Sequence, residues 1–237
     1  MAARRLFVTG TDTGVGKTFV GCALVASARK LGLRVAAAKP LESGCARGAD
    51  GALVPADALL LRDATGRDDA IDLICACRFE APLAPAYAAE VEGVTIDPAR
   101  IVSSLDVLSA EVDLLIIEGA GGALVPAWTG MDMVDLVALC RAEALIVART
   151  GLGTINHTRL TVEALRARGV KIAGLVFNRP ESPAVRAVDP SEAQNPARIA
   201  ALTGLPVWAV FEHATGSVTG CSCASLQHAL TAWIRPV

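Results

Sequence analysis

Lysine is scarce in this sequence: only positions 17, 30, 39 and 171 carry it among 237 residues, while arginine is abundant. An ammonium at a strand edge or in a loop is therefore a placed charge, and its position carries information. The formal net charge is −2, which gives no electrostatic footprint for nucleic acid or an anionic membrane surface as a partner. Long hydrophobic runs are missing as well. Met131 to Ala148, for example, is broken by Asp132, Asp135, Arg141 and Glu143, whereas a bilayer helix needs about 18 apolar residues in succession. Arg4 and Arg5 superficially suggest an export signal, but the apolar run behind them ends at polar Thr9 to Thr13, so a cytoplasmic chain is expected. No C-x-x-C pair occurs among the seven cysteines. The closest spacings, Cys75-Ala76-Cys77 and Cys221-Ser222-Cys223, fit neither a zinc ribbon nor a disulfide framework, and reduced thiols without a metal are expected.

What is present is a core. At 53% hydrophobic the chain buries enough apolar surface to exclude global disorder. No repeat, low-complexity tract or linker divides it, so one domain over residues 1–237 is the economical reading. The runs Arg5–Gly10, Leu33–Lys39, Leu114–Glu118, Ala144–Ala148, Ile172–Asn178 and Val207–Phe211 are apolar at nearly every position, as in strands buried on both faces of a parallel sheet. Asp97-Pro98 and Asn195-Pro196 each read as a helix cap followed by proline, and Gly204 as a helix terminator. Together these predict an α/β fold: a doubly wound, mostly parallel sheet with helices on both faces, its ligand crevice beyond the carboxyl ends of the strands.

The strongest chemical signal follows the first strand. Gly10-Thr11-Asp12-Thr13-Gly14-Val15-Gly16-Lys17-Thr18 precedes an apolar helical run from Phe19 to Leu31. Such a loop wraps phosphate: backbone N–H groups and a helix N-terminus bind the oxygens, Lys17 adds positive charge, and the Thr18 hydroxyl can join a magnesium shell. It is a variant, because the strict pattern places glycine where Thr11 stands. Glu118 follows Leu114-Leu115-Ile116-Ile117 and precedes Gly119-Ala120-Gly121-Gly122, which reads as the functional edge of the sheet or as a surface residue where the strand emerges, the glycines favouring the former because they admit a ligand. Asp57, before Ala58-Leu59-Leu60-Leu61, is equally a magnesium ligand or a helix cap. Lys39 closes the second strand and should project from the same sheet edge as Lys17, whereas Lys30 and Lys171 fit solvated positions. Two lysines at one anion site suit charge moving between a phosphate and an acceptor carboxylate.

These residues resemble the dethiobiotin synthetase family. The resemblance rests on Val8 to Thr13 leading into Gly16-Lys17-Thr18, on Lys39-Pro40 with Ser43-Gly44, on Asp57-Ala58-Leu59, and on Glu118 to Gly122. It continues through Pro82 and Pro85, Leu152 to His157, and Gly174 to Asn178. It implies a P-loop NTPase-like enzyme that converts 7,8-diaminononanoate, CO2 and MgATP to dethiobiotin, ADP and phosphate, through a carbamate and a carbamic-phosphoric mixed anhydride. It further implies that Lys39 and Lys17 hold carbamate and phosphoryl oxygens, that Thr13 and Ser43 contact the diamine or carbamate, and that Thr18, Asp57 and Glu118 surround Mg2+. Gly14, Val15, Gly16, Phe19, Gly119, Ala120 and Gly121 would lie along ATP, with Asn178 and Arg179 against the adenine. Gly153, Thr154, Ile155 and Asn156 would hold the substrate carboxylate across the interface of a homodimer.

The sequence departs from that pattern at Gly14, which removes any side-chain role there, and after Phe211, where Glu212 to Val237 lacks the pattern expected at the adenine edge. Ser225–Trp233 reads as a short amphipathic helix packed on its own domain. His157 is expected to be structural or capping, and no ligand spacing surrounds His213 or His228. A nucleotide-switched regulatory ATPase would carry an additional lysine between Val8 and Asp12, and none is there. A related amide-forming ligase of corrinoid biosynthesis would need a glutaminase domain, for which this length leaves no room.

Overall fold

The computed structural model describes residues 2–180, 189–212 and 223–234. Six strands form one sheet: β1 (Arg4–Gly10), β2 (Val35–Ala38), β3 (Leu114–Gly122), β4 (Glu143–Arg149), β5 (Ile172–Asn178) and β6 (Val207–Phe211). Their spatial order is β6-β5-β4-β1-β3-β2, and every neighbouring pair is parallel. The helices are α1 (Lys17–Lys30), α2 (Ala56–Thr65), α3 (Ile71–Ile74), α4 (Pro85–Glu92), α5 (Pro98–Ser109), α6 (Met133–Leu139), α7 (Thr154–Ala167), α8 (Asn195–Thr203) and α9 (Ala224–Ile234).

The continuous apolar runs are explained by two cores. Phe7, Leu115, Ile117, Ile146 and Phe177 pack on one face with Ile101, Leu105 and Leu165, while Leu6, Val8, Ile116, Leu145 and Val147 pack on the other with Leu24, Leu61 and Leu226. Successive side chains of each strand thus enter opposite cores, and neither face tolerates a polar alternation. The chain runs from β1 to β2 on the β3 side of the sheet and later crosses over to β4 on the other side of β1, which places a crevice at the carboxyl end of β1.

Asp97 caps α5 through its carboxylate and the Ala99 N–H at 2.9 Å, and Gly204 ends α8 in a left-handed conformation (φ 70°). Three sequence expectations are corrected. Asn195 is not a cap: Gln194 precedes α8, and the buried Asn195 amide donates to the Thr150 and Gly151 carbonyls at 2.7 and 3.3 Å. The second strand spans Val35–Ala38 and stops before Lys39, because Pro40 has no N–H for a ladder and the Lys39 N–H turns to Ile74 O at 2.9 Å. The third strand runs to Gly122, so Glu118 lies inside it rather than at its end.

The tail helix α9 buries Leu226 and Leu230 completely, and Trp233 stacks under Arg4 at 3.8 Å. Cys22, Cys45, Cys75 and Cys140 are buried free thiols, and burial pushes each of them up, Cys22 and Cys140 to about 12. Cys221 and His213 lie outside the described residues. Among the described residues no helix is long and apolar enough to cross a membrane.

Candidate active site

The loop after β1 is held on three sides. Thr11 N–H donates to Val147 O at 3.0 Å, Thr13 N–H to the Asp12 carboxylate at 2.7 Å, and the Asn178 amide to Val15 O at 2.9 Å. Gly16 has a double reason to be glycine: its φ is 92°, and an added Cβ would stand 2.1 Å from the Asn178 amide nitrogen. The variant glycine at position 10 has a similar cause. A Cβ there would meet Asp12 O at 2.8 Å and Lys17 Nζ at 3.2 Å, so the backbone leaves no room for a side chain one residue before the place where the strict pattern has glycine. Lys17 opens α1, and its ammonium donates to Asp12 O at 3.2 Å.

A cleft of about 610 Å³ opens beside this loop and gathers Thr13, Gly14, Gly16, Lys17, Thr18, Lys39, Ser43, Asp57, Glu118, Ala120 and Gly121, with Pro82, Pro85 and Val125 along its wall. Lys39 Nζ donates to Glu118 Oε1 at 2.9 Å and to the Asp57 carboxylate. Thr18 Oγ1 donates to the same Glu118 oxygen at 2.9 Å. Glu118 is 1% exposed, and its second oxygen, Oε2, is buried without a hydrogen-bond partner among the described residues.

The two lysines are pushed in opposite directions. Burial lowers Lys17, and nearby Lys39 adds to that effect while Glu118 opposes it; the net shift is down from 10.5. Burial acts on Lys39 in the same sense, but Glu118 and Asp57 outweigh it and the net shift is upward. Lys39 is therefore a fixed cation throughout the neutral range, and of the two ammoniums Lys17 loses its proton first as pH rises.

The glycines after Glu118 serve packing as much as access. Val8 pairs with Glu118 and Gly10 with Gly122, so β3 bulges outward between them. A Cβ on Gly119 would stand 2.7 Å from the Phe7 ring, whereas Gly121 sits at φ 63° facing Val125. Gly119 is thus turned to the core, and Ala120 and Gly121 form the cleft wall.

Glu42 is the residue that sequence reasoning missed. Buried at 6% exposure, it accepts from the Asp57 and Ala58 N–H groups at 2.9 and 3.0 Å, capping α2 from outside the helix. Asp57 is thereby released from capping and turned to Lys39. Burial raises the Glu42 carboxyl, opposed by Lys39 and the two N–H donors. Glu42→Ala is expected to cost about 1–3 kcal/mol in chemical denaturation and to lower turnover by releasing Asp57. Glu42→Gln, which keeps a single acceptor, is expected to recover part of both.

Asn178 and Arg179 both make bonds within the protein. One of the two N–H donors of the Asn178 amide is spent on the loop. Arg179 donates to Thr150 Oγ1 at 3.2 Å and pairs with Glu192 at 3.4 Å and with Glu212. Phe19 packs edge-on against Phe211 with ring centroids 5.1 Å apart. At the start of α7, Gly153 is left-handed (φ 91°). The Leu152 N–H there is taken by the Asp189 carboxylate at 2.6 Å, so that donor is not available to a ligand. His157 and His228 are exposed on α7 and α9.

A parallel doubly wound sheet with a Gly-x-Gly-Lys-Thr loop between its first strand and first helix defines a P-loop nucleotide-binding protein. The family model described as an AAA domain matches residues 4–218. The septum site-determining protein MinD complexed with Mg-ADP, from Pyrococcus horikoshii OT3, is alike over 99% of this chain and all of that chain, with a TM-score of 0.55 and 17% identity, which shows a shared fold. Sequence relatives narrow the class. The ATP-dependent dethiobiotin synthetase BioD of Anaeromyxobacter dehalogenans (strain 2CP-C) is 50% identical over 202 residues, covering 84% of this chain and 86% of its own. That of Aromatoleum aromaticum (strain DSM 19018 / LMG 30748 / EbN1) is 39% identical over 224 residues, covering 94% and 97%. The chain belongs to the dethiobiotin synthetase family, a family of ATP-dependent ligases.

Proposed function

We propose that the whole chain acts as one domain that closes the ureido ring of dethiobiotin from 7,8-diaminononanoate, CO2 and ATP. One amine adds to CO2 and loses a proton, giving a carbamate. A carbamate oxygen then attacks the γ-phosphorus and ADP leaves. The second amine attacks the carbonyl carbon, phosphate leaves with the C–O bond electrons, and the amine proton passes to solvent. The observation that carries this reading is the Lys39 ammonium held between Asp57 and Glu118 beside the phosphate loop. A fixed cation there neutralises the carbamate before transfer and the mixed anhydride after it.

In this reading Gly14, Val15, Gly16, Lys17 and Thr18 cradle the phosphates, and Ala120 and Gly121 pass along the nucleotide. Gly119 supports them from the core side, and Phe19, Asn178 and Arg179 bound the nucleoside end. Thr13 and Ser43 hold the carbamate end of the diamine. Three oxygen donors, Thr18, Asp57 and Glu118, suit a hard divalent cation, and the unpartnered buried Oε2 of Glu118 suits it further. Magnesium bound there would screen the phosphate charge.

A homodimer in the cytoplasm completes the proposal. Leu152, Leu160 and Leu124 are 90%, 60% and 57% exposed, which is costly unless a second copy covers them. Next to them lie the first-turn N–H groups of Ile155 and Asn156 at the start of α7, which in this reading receive the substrate's far carboxylate.

Phosphate release with MgATP, bicarbonate and the diamine, omitting each in turn, tests the reading. Release is expected only with all three, since the acceptor is a carbamate. Rapid release from ATP alone would overturn it in favour of a nucleotide switch.

A further inference from the structure

Arg149 is the last residue of β4 and is used by nothing described so far. It stands level with Asn178 on β5 and two residues past Val147, which pairs with Gly10 at the end of β1. Its exposed side chain turns back over the phosphate loop, where Nη2 donates a long bond to Thr13 O at 3.4 Å. The same nitrogen is 3.6 Å from where a Cβ on Gly14 would be, so the glycine leaves the rim of the loop open to it. Other arginines of the chain face a carboxylate, as Arg4 faces Glu143 and Arg179 faces Glu192. Arg149 faces none within ion-pairing distance among the described residues, although Asp189 and Glu192 line the same hollow of about 350 Å³.

A guanidinium fork held over a loop that binds phosphate, with no ion-pair partner among the described residues, is suited to planar contact with phosphate oxygens. We propose that Arg149 contacts the terminal phosphates of the nucleotide from the Thr13 and Gly14 side and stabilises the γ-phosphoryl group as it passes from the ADP oxygen to its acceptor. Lys17 approaches that group from within the loop and Lys39 from the acceptor side, so Arg149 supplies the cation on the remaining wall. An arginine placed in cis performs this service in other phosphoryl-transfer sites. The proposal rests on the phosphate-binding reading of the loop.

The test uses the full chain with Arg149→Ala and Arg149→Lys. Arg149 is exposed, so both variants are expected to keep the thermal midpoint of the parent. ATP affinity, measured by calorimetry with magnesium and without diamine, is expected to fall about tenfold in Arg149→Ala. The single-turnover rate of phosphate release with all substrates saturating is expected to fall about 100-fold. Arg149→Lys should recover part of the affinity and little of the rate, and added guanidinium should raise the rate of Arg149→Ala. The KM for the diamine should stay within about twofold. Unchanged ATP affinity and rate would overturn the proposal. So would a rise confined to the diamine KM, which would assign Arg149 to the substrate carboxylate instead. Failure of the ring-closing reading appears separately, as parent enzyme that binds ATP but releases no phosphate with the diamine present.

Discussion

Lys39→Ala is expected to bind ATP and to turn over at least about 100-fold more slowly, the usual scale for losing one charge stabiliser of a transition state. The loop that holds nucleotide is intact in this variant, because Lys17, Thr18 and the Asn178 brace make no bond to Lys39. What disappears is the cation between Asp57 and Glu118. Glu118, 1% exposed, then faces Asp57 without compensation, and breaking a buried pair from one side costs about 3–5 kcal/mol. The variant should therefore show a lowered thermal midpoint in magnesium-free buffer that recovers with magnesium and nucleotide. Calorimetry for ATP binding and phosphate release for turnover check the separation. Near-normal turnover would remove Lys39 from the reacting site.

Mixed dimers of two nearly inactive chains should regain activity. One chain carries Lys39→Ala, which disables its own loop site. The other carries Asn156→Trp, which blocks the start of α7, the place where the proposed dimer would hold the partner's substrate tail. Asn156 is exposed in the first helical turn, whereas Gly153 at φ 91° would burden any side chain with backbone strain. An isologous dimer has two shared sites. In the heterodimer one site collects both defects and the other is intact, so about half the parental activity per dimer is expected from this counting. Activity measured on isolated heterodimers, with both homodimers as controls, decides the matter. Verified heterodimers that stay inactive would show that each subunit holds its own substrate.

The phosphate loop was legible because its chemistry is written in nine consecutive residues, and the six strands because burial on both faces leaves a continuous apolar run in each. The limits of those elements were less legible. Leu33–Lys39 was too long, since Pro40 cannot extend a ladder and Lys39 bonds to Ile74 instead. Leu114–Glu118 was too short, since glycines that read as a loop continue the strand as a bulge. The local pattern at Asn195 predicts a cap, but its amide donates to carbonyls 45 and 44 residues away.

The sequence by itself determined the parallel sheet, the nucleotide class and the scarce lysines that matter, because each is encoded in contiguous residues whose neighbours are also neighbours in space. The tertiary structure alone decided how those charges meet. Lys39 reaches Glu118 across 79 residues, Asn178 braces Val15 across 163, and Glu42 caps a helix 15 residues on. No local pattern records such pairs, because the burial that makes an unpaired carboxylate or N–H costly exists only once the sheet has closed over them.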